Sequence, residues 1–123
     1  MKLQEIKEYF QTNLYEMSSF YSGDTGLTDG TVLWVRTEPK VLKHVRYRIK
    51  LVNSQKGSAV FALWGDEAKQ LEGDWIVTGK ELKKVETLVA LTRDQIIGHI
   101  DGRISSAGLG KVFDTVKLQV EKI

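Results

Sequence analysis

Residues 45–52 constrain the fold most, because apolar and cationic side chains alternate there with a period of two. The apolar positions are Val45, Tyr47, Ile49 and Leu51, and the cationic positions are Arg46, Arg48 and Lys50. Such alternation predicts a β-strand with one buried and one exposed face. A polar, glycine-containing loop at 53–57 separates it from a second strand at 58–64, so the sequence predicts a central β-hairpin.

Three further segments have strand composition, at 31–37, 75–79 and 85–92. A basic turn at 80–84 joins the last two of these, and the polar segment 65–74 predicts one or two helical turns. Five short strands without strand–helix–strand spacing predict a mainly β fold, either a small barrel or a compact α+β domain. We place the core of this domain within residues 31–92.

The two ends of the chain carry different patterns. Apolar residues recur at helical spacing near the N-terminus, at Leu3, Ile6, Phe10, Leu14 and Met17. They predict an amphipathic helix within residues 1–20, ending near residues 18–19, which packs on its own domain or on another subunit. The extension at 93–123 ends in a segment, 111–123, that fits either a helix or an extra strand.

Composition excludes several classes of protein. At 123 residues and 13.9 kDa the chain is the size of one domain with its own core. It has no apolar run approaching the ~20 residues of a membrane span, and acidic residues interrupt its N-terminal segment, so we expect an intracellular protein that does not enter membranes. With no cysteine and two histidines, it is expected to hold no metal or cofactor.

Positive charge is concentrated in one stretch. Residues 31–50 hold six lysines and arginines against Glu38, a net charge of +5, whereas the whole chain carries +2. Arg46, Arg48 and Lys50 are expected about 6.6–6.8 Å apart along one strand face, close to the phosphate spacing of an extended nucleic-acid strand. Trp34, Arg36 and Trp64 are expected on the same side, where aromatic rings would stack bases. The alternative is a solvated cationic face with Trp64 in the core.

The sequence makes a weak case for an enzyme. It has no nucleophile elbow, no phosphate-binding loop and no dinucleotide fingerprint. His99 lies among apolar residues, where a histidine is more often packed and hydrogen-bonded than catalytic. A hydrolase that used His99 would need a carboxylate in the same cleft.

Residues 47–77 contain a series of features that resembles the middle of a known family. The features are Leu51, Val52 and Asn53 at a strand end, Lys56 and Gly57 in a hairpin, Leu63, Trp64 and Gly65, then Ala68, then Gly73 and Asp74. They resemble the OB-fold domains of replication protein A and archaeal single-stranded DNA-binding proteins. The resemblance implies a five-stranded OB barrel that binds single-stranded nucleic acid, DNA more than RNA, with Trp64 stacking a base and Arg36 on the binding face.

The chain departs from this family at two places. The loop at 82–85 lacks the aromatic residues found there in archaeal members, although Lys80, Lys83 and Lys84 remain available for phosphates. The outward positions Val60 and Ala62 are apolar. They support a second hypothesis, a scaffolding or protein-interaction subunit of a larger nucleic-acid maintenance complex, with self-association or a protein partner on the N-terminal helix. The predicted binding residues are Trp34, Arg36, Arg46, Arg48, Lys50, Trp64, Lys80, Lys83 and Lys84.

Overall fold

Five antiparallel strands form one sheet, in which each strand pairs with its neighbours in the sequence. The structure is a computed structural model that describes residues 17–36, 47–64 and 67–123, with only the backbone of Trp64 and Glu67. The strands are β1 (Met17–Phe20), β2 (Thr31–Arg36), β3 (Arg48–Asn53), β4 (Gly57–Trp64) and β5 (Glu67–Glu72). The helices are α1 (Ser22–Thr25), α2 (Gly79–Ile100) and α3 (Ser106–Glu121). Strands β1 and β5 are the two edges, so the sheet is not closed into a barrel.

The predicted central hairpin is confirmed. Strands β3 and β4 pair from Arg48 opposite Ala62 to Asn53 opposite Gly57. The Asn53 side chain closes the turn, because its Oδ1 accepts hydrogen bonds from the backbone N–H groups of Gln55 at 3.0 Å and Lys56 at 3.2 Å. Its Nδ2 donates to Thr31 Oγ1 at 3.1 Å, which ties the hairpin to β2.

The hydrophobic core lies between one face of the sheet and the helices. Alternate residues of the central strands are buried there: Leu33, Val35, Ile49, Leu51, Ala59, Phe61 and Leu63. Helix α2 covers them with Val85, Leu88, Val89, Ile96 and Ile100, which recur at helical spacing. Helix α3 contributes Leu109 and Phe113, and the Phe113 ring packs edge-on against Phe20 at 4.9 Å between centroids. The result is a two-layer α+β domain.

The predicted strand at 85–92 and the predicted turn at 80–84 are wrong. Both lie within α2, a single helix of 22 residues. The β-branched residues of 85–92 favour a strand locally, but Val85, Leu88, Val89 and Thr92 all point into the core with helical spacing. Tertiary packing of this stripe therefore overrides the local preference, and a strand needed for barrel closure is absent from the described sheet.

The segment between β4 and α2 also differs from the prediction. The helical turns expected within 65–74 are replaced by β5, which pairs with β4 along its length. Residues 75–77 do not form the predicted strand, but the Gln70 side chain holds this segment beside β5. Gln70 Nε2 donates to the Trp75 carbonyl at 2.7 Å, and Gln70 Oε1 accepts from the Val77 N–H at 3.1 Å.

The predictions for the two ends of the chain have different outcomes. Most of the predicted N-terminal helix lies outside the described residues, but its last part is wrong, because Met17–Phe20 is strand β1 paired with β2. The choice between helix and strand at 111–123 is decided for a helix, α3, which spans all but the last two of these residues. The Ser105 hydroxyl caps α3 by accepting from the Gly108 N–H at 3.0 Å. No helix in the described part of the chain is long and apolar enough to span a bilayer.

Asp74 secures the start of β4 and makes stability depend on pH. The Ser58 backbone N–H donates to Asp74 Oδ1 at 2.7 Å, and this bond holds the pKa of the Asp74 carboxyl below its ordinary value of 3.8. Because the folded carboxylate binds a proton less readily than the unfolded one, its stabilisation is present above pH 3.8 and is lost as the pH falls below it.

We therefore predict that Asp74→Asn lowers the melting temperature at pH 7. The difference in melting temperature from the wild type should shrink as the pH falls below the ordinary carboxyl pKa of 3.8. Thermal unfolding followed by circular dichroism at pH 7 and at pH 3 measures both effects. Asp94→Asn, at an exposed position on α2, is the control and should melt with the wild type at pH 7. A constant difference across the two pH values would contradict the assignment.

Candidate nucleic-acid interface

The sheet has a second face, opposite α2 and α3, which no helix covers within the described residues; we call it the open face. Four of the predicted binding residues lie on it together. Trp34, Arg36, Arg48 and Lys50 line one concavity of about 230 Å³, with Met17, Val60 and Glu72. Strand alternation explains this placement, because the neighbours of these residues along β2 and β3 are buried in the core.

The strand register arranges the open face in rows that run across the strands. One row joins Ser19, Trp34, Lys50, Val60 and Glu72, each directly opposite the next. A second row joins Arg48, Ala62 and Lys69. Adjacent strands are about 4.8 Å apart, so the first row spans about 14 Å from Trp34 to Glu72. The first row therefore has an aromatic residue, Trp34, and a carboxylate, Glu72, separated by this distance.

Two cationic side chains of β3 are accessible on the open face. Arg48 and Lys50 are exposed, and neither forms an ion pair with a carboxylate in the described part of the chain. Trp34 is half-buried, so part of its surface remains available. The arrangement offers positive charge for an anion and an aromatic surface for a planar ring.

The start of β3, which carries Arg48, is anchored to the turn between α2 and α3. The Tyr47 hydroxyl donates to Asp101 Oδ1 at 2.9 Å, and this hydrogen bond raises the pKa of Tyr47 above its usual value. Arg103 Nη2 lies 3.4 Å from Asp101 Oδ2, and Arg93 Nη2 donates to the Leu63 carbonyl at 3.3 Å. The Tyr47–Asp101 and Arg93–Leu63 hydrogen bonds join the sheet to the helical layer near Arg48.

The remaining predicted residues are not joined to this site. Lys80, Lys83 and Lys84 lie in the first turns of α2, in the helical layer. An ion pair between Lys56 and Glu81 places that end of α2 beside the β3–β4 turn. Arg46 lies outside the described residues, and so does the side chain of Trp64.

Three open-face residues of the concavity, Met17, Val60 and Glu72, are not among the predicted binding residues. The sequence predicts a helix at Met17 and a polar helical segment at Glu72, and it marks Val60 only as an apolar outward position. The signal for β5 was present in the alternation of charged Glu67 and Lys69 with Ala68 and Gln70. It is short and lacks β-branched residues, so the local sequence favours a helical turn over a strand.

His99 is a packed, hydrogen-bonded residue, as predicted. It is 3% exposed, its Nδ1 lies 2.7 Å from the Ile104 carbonyl, and its Nε2 lies 3.0 Å from Ser18 Oγ. Because a carbonyl only accepts, Nδ1 donates to it. Ser18 Oγ also bonds Ser106 Oγ, so this cluster ties β1 to both long helices. None of the described carboxylates contacts the imidazole.

Comparisons with protein-family models, with curated proteins and with solved structures found no match for this chain. Among the described residues, no three histidine or acidic side chains are grouped as metal ligands.

Proposed function

We propose that the protein binds single-stranded nucleic acid on the open face. The observation that supports this most directly is the shared concavity of Trp34 with Arg36, Arg48 and Lys50. Proteins that bind single strands combine cations that follow the backbone with aromatic side chains on which bases stack. The proposed preference for DNA over RNA rests on the resemblance of residues 47–77 to DNA-binding domains.

The distances on β3 suit an extended strand. Side chains two residues apart on one strand are separated by about 6.6–6.8 Å, so Arg48 and Lys50 are placed to contact successive phosphates. A base attached between them would lie over the neighbouring strand, where Trp34 is directly opposite Lys50. Each phosphate contact releases counterions, so binding would weaken as salt increases.

A second function has its own support. The open face also carries Met17, which is 48% exposed, and the half-buried Val32, Val52 and Val60. An aliphatic surface of this kind favours docking of a protein, as in a scaffolding subunit of an intracellular nucleic-acid maintenance complex. The two functions differ in their response to nucleic acid and to salt.

Tryptophan fluorescence during titration with oligo-dT tests the proposal. We expect quenching for the wild type. Trp34→Ala lacks the quenched ring, so its affinity is measured from the fluorescence anisotropy of a labelled oligo-dT, and we expect a loss of about 1–3 kcal/mol of binding free energy because the base loses its stacking partner. Repeating the titration between 50 and 200 mM salt should give a log–log slope of about −0.7 for each phosphate contacted.

Trp75→Phe is the matched control, since Trp75 is 7% exposed and lies outside the concavity. It should retain the wild-type affinity while removing the emission of Trp75. A folded Trp34→Ala protein that binds oligo-dT as tightly as the wild type would refute the stacking role. Absence of binding to any oligonucleotide, together with self-association in sedimentation experiments, would favour the scaffolding function.

A further inference from the structure

Glu72 is the unexpected residue of the concavity, since its carboxylate shares the space with Arg36, Arg48 and Lys50. It is exposed, and no ion pair joins its side chain to a lysine or arginine within the described residues. A surface that bound only phosphates would gain nothing from a negative charge at this position, because like charges repel. The carboxylate therefore fits a different part of the ligand.

The chemistry of the bases indicates which part. An ionised carboxylate only accepts hydrogen bonds, and it binds best to two parallel donors. Guanine presents two adjacent donors, N1–H and the N2 amino group, on its Watson–Crick edge. Cytosine and adenine present an amino group beside an acceptor nitrogen, and thymine presents one N–H between two carbonyls.

We propose that Glu72 reads guanine in the bound single strand. This inference rests on the proposed function and adds base specificity to the same site. It is consistent with exposed bases of single strands being recognised through hydrogen bonds to their Watson–Crick edges.

The row of residues across the sheet leaves room for this contact. Trp34 and Glu72 are separated by three strand spacings, about 14 Å, with Lys50 and Val60 between them. One base stacks on Trp34, and the next lies over Val60 with its Watson–Crick edge toward the Glu72 carboxylate. Lys50 lies between the two positions and holds the connecting phosphate. Guanine specificity therefore applies to one nucleotide of the pair.

Fluorescence anisotropy with three labelled oligonucleotides tests the proposal: dT12, the same strand with two central guanines, and the same strand with two central inosines. Inosine keeps N1–H and lacks the N2 amino group. For the wild type we expect guanine to bind about ten-fold more tightly than thymine, with inosine between them. Glu72→Gln should remove the guanine preference and leave dT12 binding equal or tighter, because the amide is uncharged and keeps a single acceptor.

Glu86→Gln is the matched control, since it makes the same charge change at an exposed position of α2 and should keep the guanine preference. Circular dichroism establishes that both variants are folded. Equal binding of the three oligonucleotides by the wild type, with Glu72→Gln binding all of them more tightly, would overturn the role of Glu72 and retain the proposed function. Failure of the wild type to bind any of them would overturn both.

Discussion

Replacing Arg48 and Lys50 together with glutamine should weaken binding of oligo-dT by about 3 kcal/mol, roughly a hundred-fold, at low salt. Each side chain is expected to donate a charged hydrogen bond to a phosphate, and such bonds contribute about 1.5–3 kcal/mol each. The log–log salt slope should become less negative by about 1.4, because two fewer counterion-releasing contacts remain. Both quantities follow from titrations at several salt concentrations.

The lysines of α2 provide a matched control for this double variant. Lys80→Gln with Lys83→Gln removes the same amount of charge from the helical layer, away from the open face. If the open face is the binding surface, this variant should keep most of the affinity and salt slope of the wild type. The reverse result, a large loss from the α2 pair and none from Arg48 and Lys50, would place binding at the start of α2 instead.

Gly26→Ala should destabilise the fold by about 3 kcal/mol. Gly26 ends α1 with φ of +83°, and a Cβ atom there would lie 2.3 Å from the Lys117 carbonyl oxygen and 3.0 Å from Val120 Cβ. The contact is with the backbone of α3, so the helix itself would have to move. Backbone strain at a positive φ and overpacking against α3 each lower the free energy of unfolding by about 1–3 kcal/mol. Urea unfolding followed by circular dichroism measures the loss.

Gly102→Ala separates the two causes of this loss. Gly102 has φ of +82°, but no heavy atom lies within 4 Å of its Cβ position. We expect it to cost about 1 kcal/mol, from backbone strain alone. If the two variants lose equal stability, the close contact between α3 and residue 26 does not contribute to the loss in Gly26→Ala.

The central hairpin and its two faces could be predicted because the signal is local. Alternation from Tyr47 to Leu51 places apolar residues on one face and cations on the other, and Asn53 supplies the turn. The burial of His99 followed from its apolar neighbours. In each case a few consecutive residues determine the local structure, since strand alternation and turn closure act over short distances along the chain.

The helical half could not be predicted in the same way. The segment 85–92 contains β-branched and apolar residues that suit either structure, and only burial in the core shared with the sheet selects the helix. Strand β5 has low strand propensity and forms because β4 presents an unpaired edge to it. Glu72 therefore lies in the candidate site only because β5 pairs with β4, which places it opposite Val60.

By itself the sequence determined the hairpin, the separation of cationic and apolar faces on β3, and the concentration of positive charge around it. These properties depend on neighbouring residues and on the period of the chain. The tertiary structure decided that the sheet stays open, that the lysines of α2 belong to the other layer, and that Trp34 and Glu72 share a concavity with Arg48 and Lys50. Those outcomes depend on which strand edges pair and which face the helices cover, and both are settled by burial of apolar surface between distant parts of the chain.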